Sequence, residues 1–247
     1  MNLWEIGLLA LAFALIILFT LLNRGKQGGT LREITAFNQL RGNIDLAVED
    51  GSRLQISLGS GGLLGPQATS VYAGLSLLRE VARIAADSDQ PPLATSGEGL
   101  QAILSQDVLR RTYQEIDLPE EYQPLLGRVT GLTPLAYGAG SMPLVLDNYA
   151  SATTLLGSFG EEAGLITAAT QRRSAFTIGG TESLAGQSIL FASTDQPLIG
   201  EELYATGAYL DAGPAHHASL RVQDILRWLL IFTIALLALG NLLLAFI

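Results

Sequence analysis

The chain contains no cysteine, which excludes disulfides, thiolate metal sites and cysteine nucleophiles together. Its only lysine, Lys26, stands beside an apolar run, so a buried catalytic lysine is excluded as well. Histidine is confined to the adjacent pair His216 and His217. Neighbours on extended backbone point to opposite sides, so the pair is read as a juxtamembrane loop and no metal site is expected. Charge is scarce, at 15% of the 247 residues, and the net charge of −9 argues against a nucleic-acid partner. No G-x-x-x-x-G-K-[ST] and no G-x-S-x-G occurs, which removes the best-marked phosphate loop and hydrolase elbow.

What the sequence has in quantity is apolar residues, 49% of the total, and two runs of them. Leu3 to Leu22 carries one charge, Glu5, at its rim, and Trp228 to Ile247 carries none. About 20 apolar residues at 1.5 Å rise match a hydrocarbon core of roughly 30 Å. Both runs are therefore expected to be transmembrane helices. The first has no basic residue ahead of it and no small-residue cleavage pattern behind it, so it reads as a retained anchor.

Arg24, Lys26 and Arg32 follow the first run, Arg221 and Arg227 precede or open the second, and no basic residue lies on the far side of either. The positive-inside rule then places the central segment in the cytoplasm and both termini outside a plasma (inner) membrane. Asn241 is the one strongly polar residue deep in the second span, level with Glu5 if the spans are antiparallel. The expected organisation is transmembrane helix 1 over residues 1–22, a cytoplasmic domain over 23–218, and a juxtamembrane and transmembrane helix over 219–247. The lipid bilayer is thus one partner; small-residue strips in both spans suggest close helix packing.

Within the domain, Ile44 to Glu49 and Arg53 to Leu58 alternate about Asp50-Gly51-Ser52 and predict an N-terminal β-hairpin. A mostly apolar helix is predicted over 68–86, a short strand at 93–95, and a helix beginning after a Thr95/Glu98 capping box. Residues 118–143, with four prolines, read as loose structure. Ala150 to Leu156 and Ser174 to Ile178 read as strands, 161–171 as a helix, and Asp195-Gln196-Pro197 as the opening of a helix through Leu210. Alternating strands and helices predict an α/β domain with a mixed or partly parallel sheet.

Three glycine turns are candidates for binding. Gly59-Ser60-Gly61-Gly62-Leu63-Leu64-Gly65 stands between a strand and a helix, where backbone amides can cradle an anion; Gly59, Gly61 and Gly62 are its candidate residues. Its spacing departs from G-x-G-x-x-G because Leu64 replaces the last glycine. Gly157-Ser158-Phe159-Gly160-Glu161-Glu162 reads as a helix cap, with Ser158 and Glu161 in capping-box spacing. Gly179-Gly180-Thr181 reads as a turn. The acid pairs Glu120-Glu121, Glu161-Glu162 and Glu201-Glu202 diverge by about 100° on a helix and read as caps or solvated faces. Arg110-Arg111 and Arg172-Arg173 read as helix-end charges.

Four stretches resemble a family of uncharacterised bacterial membrane proteins built on a domain of unknown function. They are Asn43 through Leu54, Gly157-Ser158-Phe159-Gly160, Ile199 through Ala205, and Gln223 through Trp228. The resemblance implies a two-pass membrane protein and assigns no functional residue. The expected role is a non-enzymatic, membrane-anchored accessory or scaffold protein whose cytoplasmic domain binds itself, as a homo-oligomer, or a membrane-complex partner. The alternative is a membrane-tethered module sensing a nucleotide or small anion at the glycine turn. No cofactor is expected.

Overall fold

The computed structural model describes residues 3–22, 31–65, 67–88, 90–147 and 150–245. It divides into two compact units, Glu33–Leu210 and a second formed by the segments before and after it. In the second unit, helix α1 (Leu3–Leu22) packs against helix α9 (Pro214–Ala245). Over Pro214–Leu239, α9 is long and apolar enough to cross a membrane; the apolar stretch within α1 is shorter, Leu9–Leu22. Both helices turn large apolar side chains outward, including Phe13, Trp228 and Phe232. Glu5 and Asn241, level with each other if the spans are antiparallel, lie outside the described side chains. His216 and His217 stand in the first turns of α9 rather than in a loop, with His217 Nε2 3.5 Å from Asp211 Oδ1.

The Glu33–Leu210 unit is a six-stranded sheet covered by helices on both faces. In chain order it comprises α2 (Thr35–Glu49), β1 (Arg53–Gly59), α3 (Ala68–Ile84), β2 (Leu93–Ser96), α4 (Gly99–Glu115), β3 (Gly127–Val129) and α5 (Pro134–Asp147). It continues with β4 (Ala150–Ser158), α6 (Ala163–Arg173), β5 (Phe176–Gly180), α7 (Leu184–Ser193), β6 (Gln196–Leu198) and α8 (Glu202–Tyr209). The strand order is β3-β2-β1-β4-β5-β6, and all five pairings are parallel. The central strands β1 and β4 are buried along nearly their whole length, as parallel strands covered on both faces must be.

Side-chain alternation assigns the layers. Leu54, Ile56 and Leu58 of β1 join Ala152 and Leu156 of β4 in a core with Phe37, Leu40 and Ile44 of α2, Val71, Leu75 and Leu78 of α3, and Leu109 and Tyr113 of α4. Leu155 of β4 faces the other way, into a separate cluster with Tyr137 and Val145 of α5, Phe159, Ile166 of α6 and Leu190 of α7. Phe37 stacks on Tyr209 at 4.7 Å, and Arg41 Nη2 donates to the Tyr209 carbonyl at 2.7 Å. These contacts bring the two ends of the unit together.

The predicted hairpin does not form. Residues 44–49 are the end of α2, and β1 pairs in parallel with β2 and β4. The helical reading is carried by Phe37, Leu40, Ile44 and Ala47, which recur at three and four residues and are all buried. Asp50-Gly51 closes this helix instead of turning a hairpin. Gly51 adopts φ +62°, its N–H donates to the Val48 carbonyl at 3.3 Å, and Ser52 N–H donates to the Ala47 carbonyl at 2.9 Å. Those two bonds make a Schellman motif, which wants glycine at the left-handed position as strongly as a type I′ turn does. The sheet is accordingly parallel throughout rather than mixed. Two further expectations are corrected: 134–147 is helical despite Pro143, and Gln196–Leu198 is a strand, with the helix delayed to Glu202.

Candidate binding crevice at the switch point

In a sheet of this order, the helices following β1 and β4 leave on opposite faces, and the carboxyl ends of the two strands part to form a crevice. The glycine turn after β1 and the turn after β4 therefore meet. Gly59 sits at φ +89°, and a Cβ there would stand 1.9 Å from the Ser158 carbonyl oxygen. Ser60 and Gly61 N–H groups both donate to that same carbonyl, at 3.0 and 3.3 Å. At Gly61 a Cβ would collide with the Ser158 side chain, 2.1 Å from its Oγ, while Gly62 is open, with Glu98 Oε1 3.9 Å away. Close approach of β4, rather than of a ligand, is what Gly59 and Gly61 permit.

Carboxylates from three different turns converge here. Glu98, following β2, accepts from Leu63 N–H through Oε2 at 3.1 Å. Glu162, at the start of α6, accepts from Ser60 Oγ through Oε1 at 2.6 Å and from Gly160 N–H through Oε2 at 3.1 Å. Glu182, following β5, accepts from Ser158 Oγ through Oε1 at 2.7 Å, and its Oε2 is buried without a partner. Gln101 on α4 is fully buried; its Nε2 donates to the Gly61 carbonyl and its Oε1 has no partner.

Tyr137 closes the floor. It is fully buried, accepts from Gly59 N–H at 3.2 Å and donates to the Thr95 carbonyl at 3.5 Å. Burial pushes its phenol up from the ordinary value, against the smaller downward pull of hydrogen bonds at Thr95, Ser57 and Gly59. It is therefore a neutral hydroxyl fixing the glycine turn. Beside it opens a cleft of about 560 Å³ lined by Pro134, Leu135, Gly160, Glu161, Glu162 and Leu165.

A family model described as "Domain of unknown function (DUF6754)" matches residues 1–246. The chain belongs to this family. No curated protein matches the DUF6754 chain, and no solved structure matches it.

The DUF6754 crevice unites three turns that are separate in sequence, since Thr181, after β5, exchanges hydrogen bonds with Phe159 through its hydroxyl. The expected caps do not operate. Thr95 lies within β2 and Ser158 ends β4, and the residues that precede α4 and α6, Glu98 and Glu162, make no side-chain cap bond. Arg110 and Arg111 both pair with Asp107, whose carboxyl is held below its usual range by the Arg110 hydrogen bond first. Glu98, Gln101, Glu162 and Glu182 were missed as site residues. Their common signal is position: each except Gln101 follows within a few residues the carboxyl end of a strand.

Proposed function

We propose that this DUF6754 protein is a membrane-anchored binding module that receives a small polar ligand in the crevice between β1 and β4. The carrying observation is the glycine turn standing at the switch point of a β3-β2-β1-β4-β5-β6 sheet, the place where open parallel sheets receive ligands. Because the amides of Ser60, Gly61 and Leu63 are engaged within the protein and carboxylates line the turn, the ligand presents donors. A ribose-like diol or a protonated amine meets that chemistry better than a bare phosphate does.

The anchoring reading carries over as two spans, α1 and α9, with the sheet unit cytoplasmic and both termini outside. Its support is the length of the two apolar helices and the five basic residues on one side of them. Reaction of cysteines introduced at the exposed positions 33 and 120 with a membrane-impermeant reagent tests it. Labelling in intact cells would reverse the orientation.

A second role, as a scaffold for a copy of itself or a protein partner, is favoured by one specific feature. Leu64, Leu132, Leu135 and Leu184 are 95%, 79%, 71% and 82% exposed, on the turns or first helical residues that follow β1, β3 and β5. Leucines gathered on one edge of a sheet mark contact surfaces better than scattered ones do.

The ligand reading is tested by thermal unfolding of the full-length protein in mild detergent with nucleosides, sugar diols, polyamines and nucleotides. At least one diol or amine should raise Tm, and Glu98→Gln with Glu162→Gln should remove the rise. A flat panel, or a rise unchanged in the double variant, overturns it.

A further inference from the structure

The second face of the sheet carries polar groups that the crevice does not use. Among the described residues, five of the eight buried side-chain atoms without a hydrogen-bond partner lie there: Arg53 Nε, both amide atoms of Gln55, Thr153 Oγ1 and Arg128 Nε. Strand register explains the grouping. Gln55 is level with Leu93 of β2 and Thr153 of β4, and Thr95 of β2 is level with Arg128 of β3. Arg53, Gln55, Thr95, Arg128 and Thr153 therefore project to the same side, opposite Leu54, Ile56 and Ala94.

Gln55 is 1% exposed and neither its amide nitrogen nor its amide oxygen is satisfied. A buried amide with no partner is costly, and native interiors rarely keep one unless something completes it. The arginines raise the demand. Arg128 makes no ion pair among the described residues, and the guanidinium of Arg53 bonds only to Gln90 Oε1, at 2.6 Å. Burial first, and Arg128 second, lower the pKa of Arg53, so the two cations feel each other, and neither forms an ion pair with a described residue. Both are half-buried, Arg53 at the start of the central strand β1 and Arg128 on the edge strand β3.

We infer that Arg53, Gln55 and Arg128 form a binding site for an oxyanion, the phosphoryl or carboxylate group of a small molecule, on the β1-β2-β3 half of the second sheet face. Donors predominate among the unsatisfied atoms, which is what an anion requires, and the two guanidiniums supply charge-assisted hydrogen bonds to it. The Gln55 oxygen is left to accept from a hydroxyl on the same molecule. This site stands apart from the switch-point crevice and does not depend on its reading: one is lined by carboxylates, the other by guanidiniums.

The test is thermal unfolding of the full-length protein in mild detergent, with chloride replaced by inorganic phosphate or by acetate at constant ionic strength. Wild type should show a saturable rise in Tm. Arg128→Gln should raise the half-saturating concentration at least tenfold. Gln55→Leu, which keeps the buried volume and removes the unpaired amide, should fold and show the same loss. Arg110→Gln, an exposed residue paired with Asp107, should respond as wild type does. A rise with phosphate alone assigns a phosphoryl ligand, and a rise with acetate at similar concentration assigns a carboxylate. No rise with either anion, an equal response in Arg128→Gln and wild type, or an equal loss in Arg110→Gln overturns the site.

Discussion

The two faces of the sheet are built on opposite terms. On one, α2, α3, α4 and α8 cover β1 and β4 with a continuous apolar core from Phe37 to Leu203. On the other, a smaller cluster around Ile166 and Phe159 gives way to Thr153 on β4, Arg53 and Gln55 on β1, and Arg128 on β3. The first face holds the domain together. The second carries buried polar groups that find no partner among the described residues, and such groups persist where a function offsets their cost.

The comparison is broken most directly by truncation in each core. Leu78, fully buried on α3, should lose about 2–5 kcal/mol on Leu78→Ala. Ile166→Ala, fully buried in the smaller cluster, should lie toward the lower end of the same range. Denaturant unfolding checks both, and equal losses would remove the distinction between the faces. Next in size is Gly59→Ala. The new Cβ would meet Ser158 at 1.9 Å and φ +89° would be retained, so a loss of about 1–3 kcal/mol is expected from backbone strain alone.

Gln55→Leu should act with the opposite sign. Removing an unsatisfied buried amide should stabilise the anion-free protein by about 1 kcal/mol. A destabilised variant would mean that the amide is satisfied in the folded protein.

The fourth effect is pH dependence. Burial, with Glu121 adding to it, pushes Tyr113 on α4 up to about 12 from the ordinary 10. The folded state holds the phenolic proton more tightly than the unfolded state does. Stability is therefore whole below pH 10 and falls as pH rises from 10 toward 12. Tyr113→Phe should flatten that fall in alkaline unfolding curves. Smallest is the exposed Arg79–Glu115 pair at 2.8 Å, for which a double-mutant cycle should give about 0.2–1 kcal/mol.

Much of the framework was legible in the residues. The stripe Val71, Leu75, Leu78 and Ala82 marks α3, and the apolar stretch of β4 marks a buried strand. Asp50-Gly51 misled because glycine at a left-handed position serves a Schellman cap and a hairpin alike. Choosing between them needs the preceding side chains, where a period near 3.6 had to outweigh an alternation over six residues. Strand β3 was hidden because three residues give no period, and α5 because Pro143 resembles a breaker.

The site was legible only in part. The turn at Gly59 was found, but its engaged amides depend on Ser158, nearly a hundred residues away. The carboxylates of Glu98, Glu162 and Glu182 meet only because β1 and β4 lie side by side at the sheet's centre. The arginine pair needs the register of three strands, which no local pattern encodes.

The central claim is that the switch-point crevice is a ligand site. Its most direct test is native mass spectrometry of the full-length protein released from its own membrane in mild detergent. The account predicts a bound small molecule carrying hydroxyl or amine donors, present in wild type and absent from the Glu98→Gln, Glu162→Gln double variant. A bare chain, or one accompanied only by a stoichiometric protein partner in both forms, would contradict it and leave the scaffold role in its place.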